Sequence, residues 1–199
     1  MLGALENMNH VAAILAGGEG RRLGADKAMV DIAGTPMIAH VRRALRADSL
    51  AVVGHADAAA LLGATFLSDP DVAVRGPLKG VLAALEWAAG QHAEWLVTAP
   101  CDVPLLPADF SDKLVNAAQA AGAEAAHVAT SDGPHALCAV WRPSLAKKLK
   151  DDLARGIHRA VRDVSPGAVR VMFADSEAFL NVNTRDDLAR VSALLADGG

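Results

Sequence analysis

The segment Val11-Ala-Ala-Ile-Leu-Ala-Gly-Gly-Glu-Gly-Arg-Arg-Leu-Gly-Ala-Asp-Lys27 decides how the whole chain is read. It opens as an unbroken apolar run over 11–15, the pattern of a strand covered on both faces in a parallel sheet. Gly17, Gly18 and Gly20 follow at once. Without Cβ atoms, their backbone can come close to a ligand and turn successive N–H groups onto phosphate oxygens. Arg21, Arg22 and Lys27 add positive charge to the same loop. A glycine-rich turn at the carboxyl end of a strand, followed by cations, is where an α/β sheet receives a nucleotide.

Two familiar phosphate motifs are excluded. A Walker loop requires Gly-x-x-x-x-Gly-Lys-Ser/Thr, whereas Lys27 is followed by Ala28. A dinucleotide fingerprint requires Gly-x-Gly-x-x-Gly opening a helix, and Gly18, Gly20 and Gly24 are spaced otherwise. A loop like this one is either a plain tight connection after the strand or a phosphate site of another kind.

Outward from this segment, the 199 residues suffice for one well-buried core, and a single domain over 1–199 is expected, with 1–8 a loose extension. Apolar residues make up 52% and charged ones 21%, which excludes global disorder and suits an α/β protein. A formal charge of −4 gives no general attraction to nucleic acid or to an anionic membrane, so an anion site must be local. Cys101 and Cys138 lack metal-ligand spacing and are too few for a disulfide framework, which points to reduced thiols and a cytoplasmic protein. No basic leader and no run approaching the roughly 18 apolar residues of a membrane span is seen.

The pattern predicts strands over 50–53, 65–67 and 95–99, with helices over 56–62 and through Val81, Leu85 and Trp87. Thr35 reads as an N-cap and Pro36 as the first turn of a helix carrying Ile38, Val41 and Leu45. His55, in the loop after the second strand, reads as a surface residue. Asp69 ends the third strand, and the loop Arg75-Gly76-Pro77-Leu78-Lys79-Gly80 follows. Asp102 stands at the carboxyl end of a central strand between Pro100 and Pro104, a natural place for a Mg²⁺ ligand, since that ion needs only one or two carboxylates beside phosphate oxygens. Further on, a helix over 107–121 carries Leu114, Ala117, Ala118 and Ala121 on one face. Strands follow over 124–130 and 136–141, the latter antiparallel, then a basic helix over 143–155 and a short helix over 157–163. An edge strand over 169–173, a short strand over 178–182 and a last helix over 185–196, opened by Thr184 with Asp187, complete the chain.

Four motifs now stand in order. Leu15-Ala16-Gly17-Gly18-x-Gly20-x-Arg22-x-Gly24-x-Asp26-Lys27 resembles the signature of the nucleotidyltransferases with a nucleotide-diphospho-sugar transferase (Rossmann-like) fold, and its Gly-x-Asp-Lys ending resembles the molybdenum cofactor guanylyltransferase branch. Gly76-Pro77-Leu78-x-Gly80, Pro100-Cys101-Asp102-x-Pro104 and Phe179-Leu180-Asn181-Val182-Asn183-Thr184 fall where that family has its other motifs. The resemblance implies a three-layer α/β/α sandwich with a mostly parallel central sheet and an antiparallel edge. It implies transfer of GMP from GTP to the terminal phosphate of molybdopterin, with Mg²⁺, and transient contact with proteins that supply molybdopterin or mature molybdoenzymes. Leu15, Ala16, Gly17, Gly18, Arg22, Lys27, Asp69, Gly76, Pro77, Leu78, Gly80 and Asp102 would then serve GTP, with Asp102 holding the metal and Asp102, Lys27 and Arg22 acting in catalysis. The helix over 143–155, Arg159, Asn181 and Asn183 would face the pterin. One departure stands out: many members carry Asn in the turn after the second strand, where this chain has Gly54 and His55.

Two alternatives stay open at this point. A sister enzyme using CTP is disfavoured by the Asp of the Gly-Ala-Asp-Lys ending, and an adaptor that binds GTP and delivers molybdopterin without chemistry would not need Asp102.

Overall fold

A computed structural model describes residues 9–17, 26–70, 76–157 and 160–197. Its main sheet has seven strands in the order β5-β4-β1-β6-β8-β7-β9: β1 is His10–Leu15, β4 Leu50–Val53, β5 Thr65–Leu67, β6 Trp95–Pro100, β7 Ala125–Thr130, β8 Gly133–Trp141 and β9 Val169–Met172. β1 lies between β4 and β6, parallel to both, and β5 is parallel to β4. The antiparallel element expected at the edge is β8, and it sits inside the sheet between β6 and β7; the rim beyond it is β9, parallel to β7.

The apolar run of β1 reads as it does because both faces are covered. Ala12 and Ile14 enter one core with Ile38, Val41, Phe110, Leu114 and Val115, while Val11 and Ala13 enter the other with Val81, Leu85, Leu145 and Leu149. The first layer is made by α1 (Met37–Ala44), α2 (Ala56–Leu62) and α4 (Phe110–Ala120), and the second by α3 (Leu78–Gly90) and α5 (Leu145–Ala154). This is the expected α/β/α sandwich. α6 (Arg185–Asp197) closes a third small core in which Val191 meets Ile32, Met37 and Val182.

Several expectations are corrected. Thr35 is not a helix cap: residues Thr35–Pro36 form strand β3, paired antiparallel with β2 (Asp31–Ile32) through a turn in which Ala33 and Gly34 both have positive φ. The Gly34 N–H donates to Asp31 Oδ1 at 2.9 Å, and Met37 N–H, otherwise free at the helix start, donates to Val30 O at 2.8 Å. The hairpin thus takes the role assigned to a side-chain cap. The short strand over 178–182 is instead a 3-10 turn, Glu177–Phe179, followed by extended chain: Phe179 is committed to an aromatic cluster with Phe173, Phe110 and His135, and among the described residues no strand pairs with this segment. Of the helix expected over 157–163, Val161–Asp163 is a 3-10 turn, and residues 158 and 159 lie outside the described residues. In α4 the buried face is Phe110, Leu114, Val115 and Ala118, while Ala121 lies past the helix end and is exposed.

Candidate functional site

The carboxyl ends of β1, β4, β5 and β6 converge because their backbone ladder continues past the strands. Ala16 N–H donates to Val53 O at 2.9 Å, Gly54 N–H to Leu67 O at 2.8 Å and Cys101 N–H to Leu15 O at 3.1 Å. Three turns are thereby stitched side by side. Gly17 leads the first. A Cβ placed on it would lie 3.3 Å from Asp69 Oδ2, and one on Gly80 would lie 3.9 Å from Asp69 Oδ1 and 3.4 Å from Leu15 Cδ2. Asp69 therefore stands between Gly17 and the start of α3, in close contact with the first and ordinary contact with the second.

Lys27, in the 3-10 turn Lys27–Met29, is the centre of the polar geometry. Its Nζ donates to Asp102 Oδ2 at 2.5 Å and to Asn183 Oδ1 at 2.7 Å. The two charged side chains are 14% and 19% exposed, so this pair is shielded from water more than a surface ion pair. Asp102 Oδ1 is buried and has no hydrogen-bond partner. An unsatisfied buried oxygen of this kind costs about 1–3 kcal/mol, and a cation at that oxygen would remove the penalty. No cluster of three or more His, Cys, Asp or Glu that could hold a metal occurs among the described residues. A lone carboxylate suits Mg²⁺, which keeps waters and takes phosphate oxygens for the rest of its shell.

Asn183 reaches Lys27 because the chain before α6 is held at two points. Val182 N–H donates to Asp102 O at 2.9 Å. Asp187 Oδ2 accepts from the N–H groups of Asn183 and Thr184, both at 2.9 Å, and Asp187 N–H returns to Thr184 Oγ1 at 3.1 Å. This is the reciprocal cap read from Thr184 and Asp187, and the donors around Asp187 hold its carboxyl below the usual carboxylate range. Beside Asp102, burial and the neighbouring carboxylate push the Cys101 thiol up to about 12, so it is no nucleophile at neutral pH.

A sequence model of the family described as MobA-like NTP transferase domain matches residues 12–175. The chain belongs to this family. It is 41% identical over 187 residues to a molybdenum cofactor guanylyltransferase of Cereibacter sphaeroides, covering 92% of this chain and 95% of that one. A molybdenum cofactor guanylyltransferase of Rhodobacter capsulatus is 38% identical over 181 residues, covering 89% and 92%. Among solved structures, molybdopterin-guanine dinucleotide biosynthesis protein A from Archaeoglobus fulgidus superimposes with a TM-score of 0.74 at 25% identity, over 94% of this chain and 99% of that one.

Against the MobA-like signature, the structure brings Gly17, Lys27, Asp69, Gly80 and Asp102 to one edge of the sheet. Gly76, at φ +109, and Pro77 are exposed just before α3. Leu15, Ala16 and Leu78 turn their side chains into the two main cores, so only their backbone faces the edge. Gly18, Arg22 and Arg159 lie outside the described residues. Asn183, expected on the pterin side, is bonded to Lys27, while Asn181 is exposed nearby. The lysines of α5 do not stand ready for a ligand: Lys147 pairs with Asp151, Lys150 with Glu86, and Lys148 donates to Val164 O. His55 is the clearest omission. It is partly buried, caps α2 by accepting from Ala58 N–H at 3.2 Å, and lies 2.6 Å from Asp26 Oδ2. The sequence signal was available, since Asp26 belongs to the motif and His55 occupies the departing position.

Proposed function

We propose that this protein transfers the guanylyl group of GTP to the terminal phosphate of molybdopterin. An oxygen of that phosphate forms a bond to the α-phosphorus, the bond from the α-phosphorus to the bridging β-oxygen breaks, and pyrophosphate leaves with the electron pair. The observation that carries this reading is the Lys27 ammonium held between Asp102 and Asn183 at the mouth of the glycine-rich loop. The family and its guanylyltransferase relatives support the same conclusion.

No protein nucleophile is needed, so the chain's work is positioning and charge. Gly17, with Gly18 and Arg22, receives the triphosphate, and Lys27 leaves Asp102 for the phosphate oxygens when they arrive. Asp69 and the 76–80 loop take the nucleoside. Asp102 would hold Mg²⁺. When bound, the ion would supply neutralising charge to the phosphate oxygens. Asn183 keeps the Lys27 ammonium near the reacting phosphates once it has left Asp102, and Asn181 faces the acceptor. The acceptor side also takes Arg159 and transient contacts with proteins that supply molybdopterin or receive the product. The two buried free thiols, Cys101 and Cys138, accord with the reducing cytoplasm.

Incubation with GTP, Mg²⁺ and molybdopterin should give a molybdopterin guanine dinucleotide by mass spectrometry. GTP should bind at least about tenfold more tightly than ATP or CTP, a difference of about 1.4 kcal/mol. Turnover with CTP in place of GTP would replace this reading by the cytidylyl one, and tight GTP binding without any dinucleotide would replace it by the adaptor.

A further inference from the structure

The turn between β4 and α2 touches the glycine-rich loop at both of its described ends. At one, Gly54 lies so close to Gly17 that a Cβ on it would fall 2.6 Å from Gly17 Cα and 2.9 Å from Gly17 N. At the other, His55 Nε2 lies 2.6 Å from Asp26 Oδ2. Residues 18–25 connect these two contacts. An Asn at position 54 would collide with the backbone of Gly17, so a polar side chain cannot be accommodated there. Its neighbour His55 is the polar group that the turn offers.

The surroundings of the ring determine which atom donates. Ala58 N–H points at Nδ1 from 3.2 Å, so Nδ1 carries no hydrogen and the neutral imidazole holds its proton on Nε2. Nε2–H therefore donates to Asp26, a charge-assisted bond from a ring that is 15% exposed to a carboxylate that is 50% exposed. The first turn of α2 fixes the ring, and the ring fixes Asp26. Asp26 is extended, at φ −62 and ψ 105, and passes directly into the 3-10 turn that starts with Lys27. Lysine has a long stem with many rotamers, so the direction of its ammonium depends on how firmly its backbone is placed.

We propose that His55 is a positioning residue of the nucleotide site: by holding Asp26 it sets the backbone from which Lys27 reaches the triphosphate, while Gly54 holds the other end of the loop against Gly17. No atom of His55 need touch GTP. The inference rests on the GTP reading of the preceding subsection.

Two conservative variants separate this role from simple helix capping, because Asn places a polar atom where Nδ1 stands and Gln places one where Nε2 stands. His55→Asn should keep the cap and melt like the wild type, yet raise the Kd and KM for GTP about tenfold with kcat changed less than about twofold. His55→Gln should lose the cap and melt a few degrees lower, yet keep GTP affinity within about twofold of the wild type. Asp26→Ala should weaken GTP binding, and adding His55→Asn to it should weaken binding no further. Calorimetry with GTP and Mg²⁺, thermal melting and steady-state kinetics give all of these readouts. His55→Asn binding GTP like the wild type, or effects at positions 26 and 55 that simply add, overturns the positioning role alone. Wild-type protein that takes up no GTP overturns the function on which it rests.

Discussion

Replacing Asp102 by Asn changes one atom and tests the centre of the mechanism. In the structure Oδ2 is bonded to Lys27 at 2.5 Å while Oδ1 is buried without a partner. The Asn amide oxygen can take the place of Oδ2 and still accept from Lys27, which turns a charge-assisted hydrogen bond into an ion-dipole one and forfeits about 1 kcal/mol. The amide NH₂ then occupies the position of Oδ1, where an unpaired neutral donor, itself costing about 1–3 kcal/mol, replaces an unpaired anionic oxygen that costs more. The two effects nearly cancel, and the melting temperature should move by no more than about 3 °C. Activity should not survive in the same way. An amide cannot replace a carboxylate as a Mg²⁺ ligand, and loss of charge stabilisation in phosphoryl transfer costs about 3 kcal/mol of barrier, a rate loss of about a hundredfold or more. Turnover of GTP and molybdopterin at saturating Mg²⁺, with melting curves for both proteins, measures the two quantities. Turnover within about threefold of the wild type would refute the metal assignment, and a melting point lowered by about 10 °C would instead make Asp102 a structural turn residue.

Lys27→Ala should raise the KM for GTP far more than it lowers kcat, because a cation on the triphosphate acts in the ground state as well as in the transition state; calorimetry and steady-state kinetics separate the two. Gly54→Ala should destabilise the fold by about 2–3 kcal/mol in denaturant unfolding, since φ is +81 there and the new Cβ would overlap Gly17, whereas Gly34→Ala, also at positive φ but with open space around it, should cost about 1 kcal/mol. Asp187→Ala should lose about 1 kcal/mol of stability at neutral pH and also weaken GTP binding through Asn183. The sign of its pH dependence follows from a folded-state carboxyl held below its ordinary value: the contribution is complete above the unfolded-state pKa of about 4 and disappears as pH falls through the lower folded-state value. The stability gap between the two proteins should therefore close only in acid, and a gap that persists unchanged there would refute the capping account.

The sequence by itself determined the local and the repetitive features. The apolar runs of β1, β4 and β6 announce buried parallel strands because a strand covered on both faces has no polar alternation to show. That Gly17, Asp69 and Asp102 share one edge is legible because each follows a strand and parallel strands bring their carboxyl ends together, whereas Lys27 is marked only by its place at the end of the glycine-rich motif. The cap at Thr184 and Asp187 was legible because both partners lie within one helical turn. What depended on distant partners was not. Thr35 reads as a cap in the sequence because its hairpin partner, although near, is reached through a turn with two positive φ values, one of them at an alanine. β8 entered the sheet between β6 and β7 because strand order is settled by which faces the helices leave to cover, a quantity that no segment carries alone. Asn183 and His55 are decided in the same way. Their partners Lys27 and Asp26 lie 156 and 29 residues away in the chain, and a hydrogen bond exists only once the fold has closed those distances.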